Sequence, residues 1–150
     1  MVNKPISNNL NKVYVLTFGC QMNERDSEII SDQLLKNGFI INDKIHDADI
    51  IIVNTCAVRE NAYQKLVGKL GEIWKLKKSR PEIIVGVGGC IAQALRDKLS
   101  KQFKWINFIF GTLNINTVTE LILESKKTLK PIVKISEIRE FEERETDFHK

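Results

Sequence analysis

The residues best suited to chemistry in this 150-residue chain are its three cysteines, Cys20, Cys56 and Cys90. A thiolate is both a nucleophile and a soft ligand for zinc or an iron–sulfur cluster. Each cysteine stands in a distinctive run: Thr17-Phe18-Gly19-Cys20-Gln21-Met22-Asn23, Asn54-Thr55-Cys56, and Gly86-Val87-Gly88-Gly89-Cys90. They are separated by 35 and then 33 residues, unlike the close pairs of a structural zinc site. An odd number, in a chain whose first ten residues lack the apolar stretch of a signal peptide, argues against a disulfide framework and for a cytoplasmic protein.

The elements around them follow one rhythm. Lys12–Thr17, Asp49–Val53, Ile83–Val87 and Asn107–Phe110 read as strands, rich in β-branched and aromatic residues. Helical spacing runs through about 23–36 (Ile29, Ile30, Leu34 and Leu35 inward), 58–78 (Ala62, Leu66, Leu70, Ile73 and Trp74), 91–101 and 117–127. Asn37-Gly38 stops the first helix and Pro81 marks the end of the second. Phe39-Ile40-Ile41 reads as a short second strand, and Pro131–Ile135 as a last extended segment. The roughly seven residues from Asn42 to Ala48 are few for a parallel crossover, which normally takes a dozen or more. Strand–helix alternation of this kind predicts an α/β domain, three-layered and flavodoxin-like or Rossmann-like, with a mainly parallel sheet.

Each cysteine then lies between the carboxyl end of a strand and the next helix. In an open parallel sheet those ends share the edge where ligands bind. In the strand order 2-1-3-4-5, strands one, three and four are neighbours about 4.8 Å apart, close enough for their loops to bring three sulfurs together. Gly19, Gly88 and Gly89 would allow close backbone approach or a positive φ, and Asn54 and Thr55 could brace the Cys56 loop. Other readings compete. A lone cysteine is more often a small buried hydrophobe; three thiolates and a water could hold a catalytic zinc; and Gly86-Val87-Gly88-Gly89 hints at a phosphate or flavin loop, though it fits no established glycine motif.

Phe18–Asn23 with Asp26-Ser27-Glu28, then Asn54–Glu60, then Gly86–Ala92, together resemble the N-terminal domain of the radical-SAM methylthiotransferases. The likeness runs from about Lys12 to Ile135 and takes in Ile109-Phe110-Gly111. Cys20-Gln21-Met22-Asn23 and Val58-Arg59-Glu60 are most similar to the branch that adds a methylthio group to N6-dimethylallyladenosine beside the anticodon of tRNA. Sister branches act on threonylcarbamoyladenosine in tRNA or on a ribosomal protein. The resemblance implies that Cys20, Cys56 and Cys90 hold an auxiliary 4Fe-4S cluster, with Gln21, Asn23, Asn54, Thr55, Gly88 and Gly89 supporting its loops. Three thiolates would leave one iron open to sulfide or a methylated sulfur species. The resemblance places no catalytic residue here.

The same family uses S-adenosylmethionine and a second 4Fe-4S cluster on a Cys-x-x-x-Cys-x-x-Cys motif, together with an RNA-binding domain. This sequence contains neither. The expectation is therefore a lead-in over 1–11, the cluster domain over 12–136, and a linker over 137–150 toward a radical-SAM domain. Such a piece would be inactive alone and monomeric, and would meet the tRNA anticodon stem-loop through the full-length enzyme. A rival reading is a non-catalytic module that docks RNA or a partner without metal.

Composition fits a globular protein, with 43% hydrophobic and 28% charged residues and no apolar run long enough to span a membrane. The net charge of +4 mildly favours a polyanionic partner. Residues 65–80 carry Lys65, Lys69, Lys75, Lys77, Lys78 and Arg80 against Glu72, a stretch that could meet phosphate but more often forms a solvated helix face. Trp74 and Trp105 read as core or interface aromatics, and His46 and His149 have no ligand-like neighbours.

Overall fold

The computed structural model describes residues 11–18, 21–55, 62–128 and 130–135. Along them run β1 (Lys12–Thr17), α1 (Gln21–Lys36), β2 (Ile40–Ile41), β3 (Ile50–Thr55), α2 (Ala62–Ser79), β4 (Ile84–Gly89), α3 (Cys90–Ala94), α4 (Arg96–Gln102), β5 (Phe108–Phe110), α5 (Val118–Ser125) and β6 (Ile132–Lys134). Segments of 3-10 helix occupy Ile45–Asp47 and Thr112–Thr117. The strands form one wholly parallel sheet in the order β2-β1-β3-β4-β5-β6. The anticipated order of the first five holds, and the extended segment near Ile132 adds the sixth.

Helices cover both faces. Alternate residues of β3 point to opposite sides, as the two-residue period of a strand requires. Ile51 and Val53 join Val85, Val87, Leu66, Leu70 and Ile73 in the core beneath α2, α3 and α4. Ile50 and Ile52 join Phe108, Phe110, Ile30, Leu34 and Ile122 in the core beneath α1 and α5. Every residue of β3 and β4 is buried, which explains why these strands read as nearly continuous apolar runs.

The short link after β2 has a simple explanation in the register. Ile41, the last residue of β2, and Ile50, the first of β3, both pair with Val13. A usual crossover must travel back along the length of a strand. Here β2 is two residues long, so its carboxyl end is already level with the start of β3, and one 3-10 turn carries the chain across.

Several elements differ from the sequence reading. Leu35 is 54% exposed rather than inward, because the buried arc of α1 runs through Ser27, Ile30 and Leu34, and Leu35 lies a further 100° round the helix. Trp74 is 39% exposed and stacks on Trp105, with ring centroids 5.3 Å apart. The helix expected over 91–101 is two short ones, broken at Leu95, whose φ of −117° and ψ of 28° are not helical. Strands β3 and β4 also run two residues further than their β-branched stretches. The anticipated lead-in (apart from Asn11), the start of the second helix at Val58, and the 137–150 linker lie outside the described residues. No helix among the described residues is long and apolar enough to cross a membrane.

Candidate metal centre

The carboxyl edge of the sheet is built around a continuous row across its three central strands. Thr17 of β1 pairs with Asn54 of β3, and Asn54 with Gly88 of β4; one step on, Thr55 pairs with Gly89. The amide of Phe18 extends the β1–β3 ladder by donating to the Asn54 carbonyl at 2.8 Å. Asn54, Thr55, Gly88 and Gly89 are therefore the last strand residues, where loops had been expected. Cys90 follows Gly89 directly as the first residue of α3.

Side chains stitch this edge together. Thr55 is fully buried, and its hydroxyl donates to the Gly88 carbonyl at 2.7 Å, locking β3 to β4 at the point where both end. Asn54 is equally buried, and its amide donates to the Ser27 hydroxyl at 3.1 Å. Ser27 also shares a hydrogen bond of 2.6 Å with the Thr17 hydroxyl. The second turn of α1 is thus tied to β1 and β3 through one serine. Beside it, burial raises the Asp26 carboxyl above its ordinary pKa, partly offset by Arg25.

The two glycines before Cys90 have different reasons. Gly89 has φ 100° and ψ −170°, a region essentially reserved for glycine, and a Cβ there would fall 2.1 Å from the Thr55 carbonyl oxygen. It is the pivot that turns β4 into α3 beneath Cys90. Gly88 has no positive φ; a Cβ on it would fall 2.2 Å from the ring of Phe110, so its absent side chain makes room for that aromatic. Gly86 does the same for Phe108. The hint of a phosphate loop is answered here by packing.

Cys90 is exposed and forms no disulfide. Free cysteines are among the most buried residue types, so the reading of a small core hydrophobe fails at this position. Helix α3 spans only five residues, too short for the strong dipole that a long helix would have offered the thiol. Its Gln93, which sequence reasoning missed, accepts hydrogen bonds from the Thr112 amide at 3.0 Å and hydroxyl at 3.2 Å, anchoring α3 to the turn after β5. Gly111 makes room for this contact, since a Cβ there would fall 2.7 Å from the Gln93 oxygen; no local signal in the sequence points to it.

Gln21 and Asn23 stand in the first turn of α1. Cys20 and Cys56 lie outside the described residues, as does Arg59. Among the described residues no three His, Cys, Asp or Glu side chains group as a metal site, and Cys90 is the one candidate ligand placed. His46 lies exposed in the 3-10 turn after β2, at the opposite edge.

Comparison with known proteins adds to this geometry. Residues 12–111 match the family described as "Uncharacterized protein family UPF0004". A protein of Syntrophomonas wolfei named tRNA-2-methylthio-N(6)-dimethylallyladenosine synthase is 44% identical over 128 residues, covering 84% of this chain and 28% of its own length. Proteins of the same name from Dictyoglomus thermophilum and Bacillus subtilis are 40% and 38% identical, covering 85% and 83% of this chain. The chain thus spans about a quarter to three-tenths of the length of these relatives.

Proposed function

The chain belongs to the UPF0004 family, the N-terminal domain of methylthiotransferases, and from that membership we propose that it carries the auxiliary 4Fe-4S cluster of a tRNA methylthiotransferase. The observation that carries this reading is the shared edge. β1, β3 and β4 are consecutive neighbours in the sheet, and their carboxyl ends are in register from Thr17 through Asn54 to Gly88. In the chain, Cys56 is bonded to Thr55, Cys90 to Gly89, and Cys20 comes two residues after Phe18. Three neighbouring parallel strands about 4.8 Å apart thus end close, along the chain, to three cysteines, which supports a shared site at this edge.

The donor set fits the group. All three ligands would be thiolates, the usual ligands of such clusters, and the one that is placed faces solvent at the edge instead of entering either core. Bound there, the cluster would supply an iron free of protein ligand, available to a sulfide or methylated sulfur species. The chain's own contribution is rigidity. Thr55 and Gly89 fix where β4 ends and Cys90 begins, and Ser27 and Asn54 hold α1 and β3 together beside the Cys20 and Cys56 segments. Gln93 stops α3 from swinging away from β5.

On this reading the domain spans 12–136, with 1–11 as lead-in and 137–150 as linker. The radical step, a second 4Fe-4S cluster and S-adenosylmethionine belong to other parts of a full-length cytoplasmic enzyme. The substrate proposed for it is N6-dimethylallyladenosine in the tRNA anticodon stem-loop; the relatives' name, which is that of a tRNA-2-methylthio-N(6)-dimethylallyladenosine synthase, supports the tRNA and the nucleoside. The chain alone lacks the residues for that radical step and should form no methylthio product.

Anaerobic reconstitution with iron and sulfide tests the reading. About four irons per chain are expected, with loss of the cluster in Cys20→Ala, Cys56→Ala and Cys90→Ala alike. Iron binding that survived all three substitutions would overturn it.

A further inference from the structure

The charges of this domain are divided between its two helical layers. Helix α2 carries five lysines against Glu72, a net of +4, and residues 90–105 carry Arg96, Lys98, Lys101 and Lys104 against Asp97, a net of +3. On the opposite face α1 has a net of −2, and residues 118–127, with Glu120 and Glu124 against Lys126 and Lys127, a net of zero. One layer is thus at +7 and the other at −2, a separation hidden in the overall +4.

The positive layer is one continuous surface. Tyr63 of α2 donates its hydroxyl to Gln102 of α4 at 3.1 Å, Lys98 lies over the Tyr63 ring at 4.8 Å, and Trp74 stacks on Trp105. Leu66, Leu70 and Ile73 turn inward from α2, together with the stem of Lys77. Of its lysines, Lys69 is paired with Glu72, and Lys77 donates to Asn107 at 2.9 Å and to the Ile83 carbonyl. Lys65, Lys75 and Lys78 are exposed and enter no ion pair among the described residues, and Lys101 and Lys104 are exposed alongside.

The outermost line of α2 is smooth as well as basic. Gly68 and Gly71 are exposed, and a Cβ on either would meet nothing within 4 Å. Glycine weakens a helix interior, and neither of these makes room for a neighbour among the described residues. A bare helix surface flanked by unpaired lysines lets a strand of phosphates approach closely.

We infer that the face made by α2, α4 and the 103–105 turn is a docking surface for the phosphate backbone of RNA. Charge complementarity carries the inference, and the choice of RNA among polyanions rests on the tRNA-directed function proposed above. Contact is mainly with phosphate, so it depends strongly on salt and little on sequence.

The test uses the 150-residue protein without metal and a fluorescently labelled RNA stem-loop, with binding read by anisotropy over a series of KCl concentrations. Affinity should fall with salt. Lys75→Glu/Lys78→Glu should weaken binding at least about tenfold and reduce the magnitude of the log–log salt slope by roughly two. Both side chains are exposed, so the variant should keep the parent's circular dichroism and melting temperature. Lys36→Glu/Lys127→Glu, on the acidic side, should bind as the parent does. Equal binding by parent and Lys75→Glu/Lys78→Glu, an equal loss in the acidic-side control, or displacement of RNA by polyglutamate at matched charge would each overturn the inference. The two proposals fail separately. Cys90→Ala should keep its RNA affinity while losing iron, and Lys75→Glu/Lys78→Glu should keep iron while losing RNA.

Discussion

A methyl group placed on Gly89 would sit 2.1 Å from the Thr55 carbonyl oxygen, and the φ and ψ of 100° and −170° are barely accessible to any other residue. Gly89→Ala should therefore cost at least about 1–3 kcal/mol in urea unfolding. It should also lower iron uptake, because the pivot beneath Cys90 has to move. Gly88→Ala tests a different cause. It pushes on the Phe110 ring and should cost about 1–3 kcal/mol by overpacking. In a Phe110→Leu background much of that cost should vanish, and a double-mutant cycle of unfolding free energies measures the coupling. Both glycines were visible in the sequence as neighbours of Cys90, but their reasons were not. The atoms that exclude a side chain come from Thr55 and Phe110, 34 and 22 residues away along the chain.

Helix α2 shows how one element divides its face. Its inner side is held by burial and by Lys77, whose amine desolvation holds below the ordinary lysine range, with Glu82 acting in the opposite sense. The folded state then gives up this proton at a lower pH than the unfolded chain, whose lysines titrate near about 10.4. Between those two values the unfolded chain binds more protons, so the Lys77 contribution to stability rises with pH. Urea melts at several pH values up to about 10.5 should show the parent gaining stability relative to Lys77→Met as pH increases. On the outer side, Gly68→Ala and Gly71→Ala should each stabilise the domain by about 1 kcal/mol, since the helix gains propensity and nothing is displaced. A melting temperature that falls in either variant would reveal a packing role the fold does not show. The six basic residues of 65–80 looked alike in the sequence. The structure turns Lys77 inward, pairs Lys69, and uses Arg80 to hold Asp49 at 2.8 Å beside the start of β3, leaving Lys65, Lys75 and Lys78 outward.

At the scale of the whole molecule, the two edges of the sheet have separate tasks. At the amino edge Asp49 accepts from the Lys12 amide and from Arg80, fastening the starts of β1 and β3 to the end of α2. At the carboxyl edge the fastening is by neutral groups, Thr17, Ser27, Asn54 and Thr55, beside the cysteine segments. Ligand binding to the folded state alone raises stability by mass action. Reconstitution with iron and sulfide should thus raise the melting temperature of the parent and leave that of Cys90→Ala unchanged, as differential scanning calorimetry under nitrogen would read.

By itself the sequence determined the α/β class, the parallel sheet and the position of each cysteine after a strand, because β-branched runs, helical periodicity and glycine stops are local signals. It also carried the family likeness, which the match over residues 12–111 bears out. Tertiary structure decided what local signals could not carry. The level of Ile41 and Ile50 against Val13 made the short crossover possible. The meeting of Ser27 with Asn54, and of Gln93 with Thr112, set the braces of the edge. The packing of α2 against α4 joined scattered lysines into one basic face. Each of these depends on partners far apart in the chain, and only the folded sheet brings them within reach.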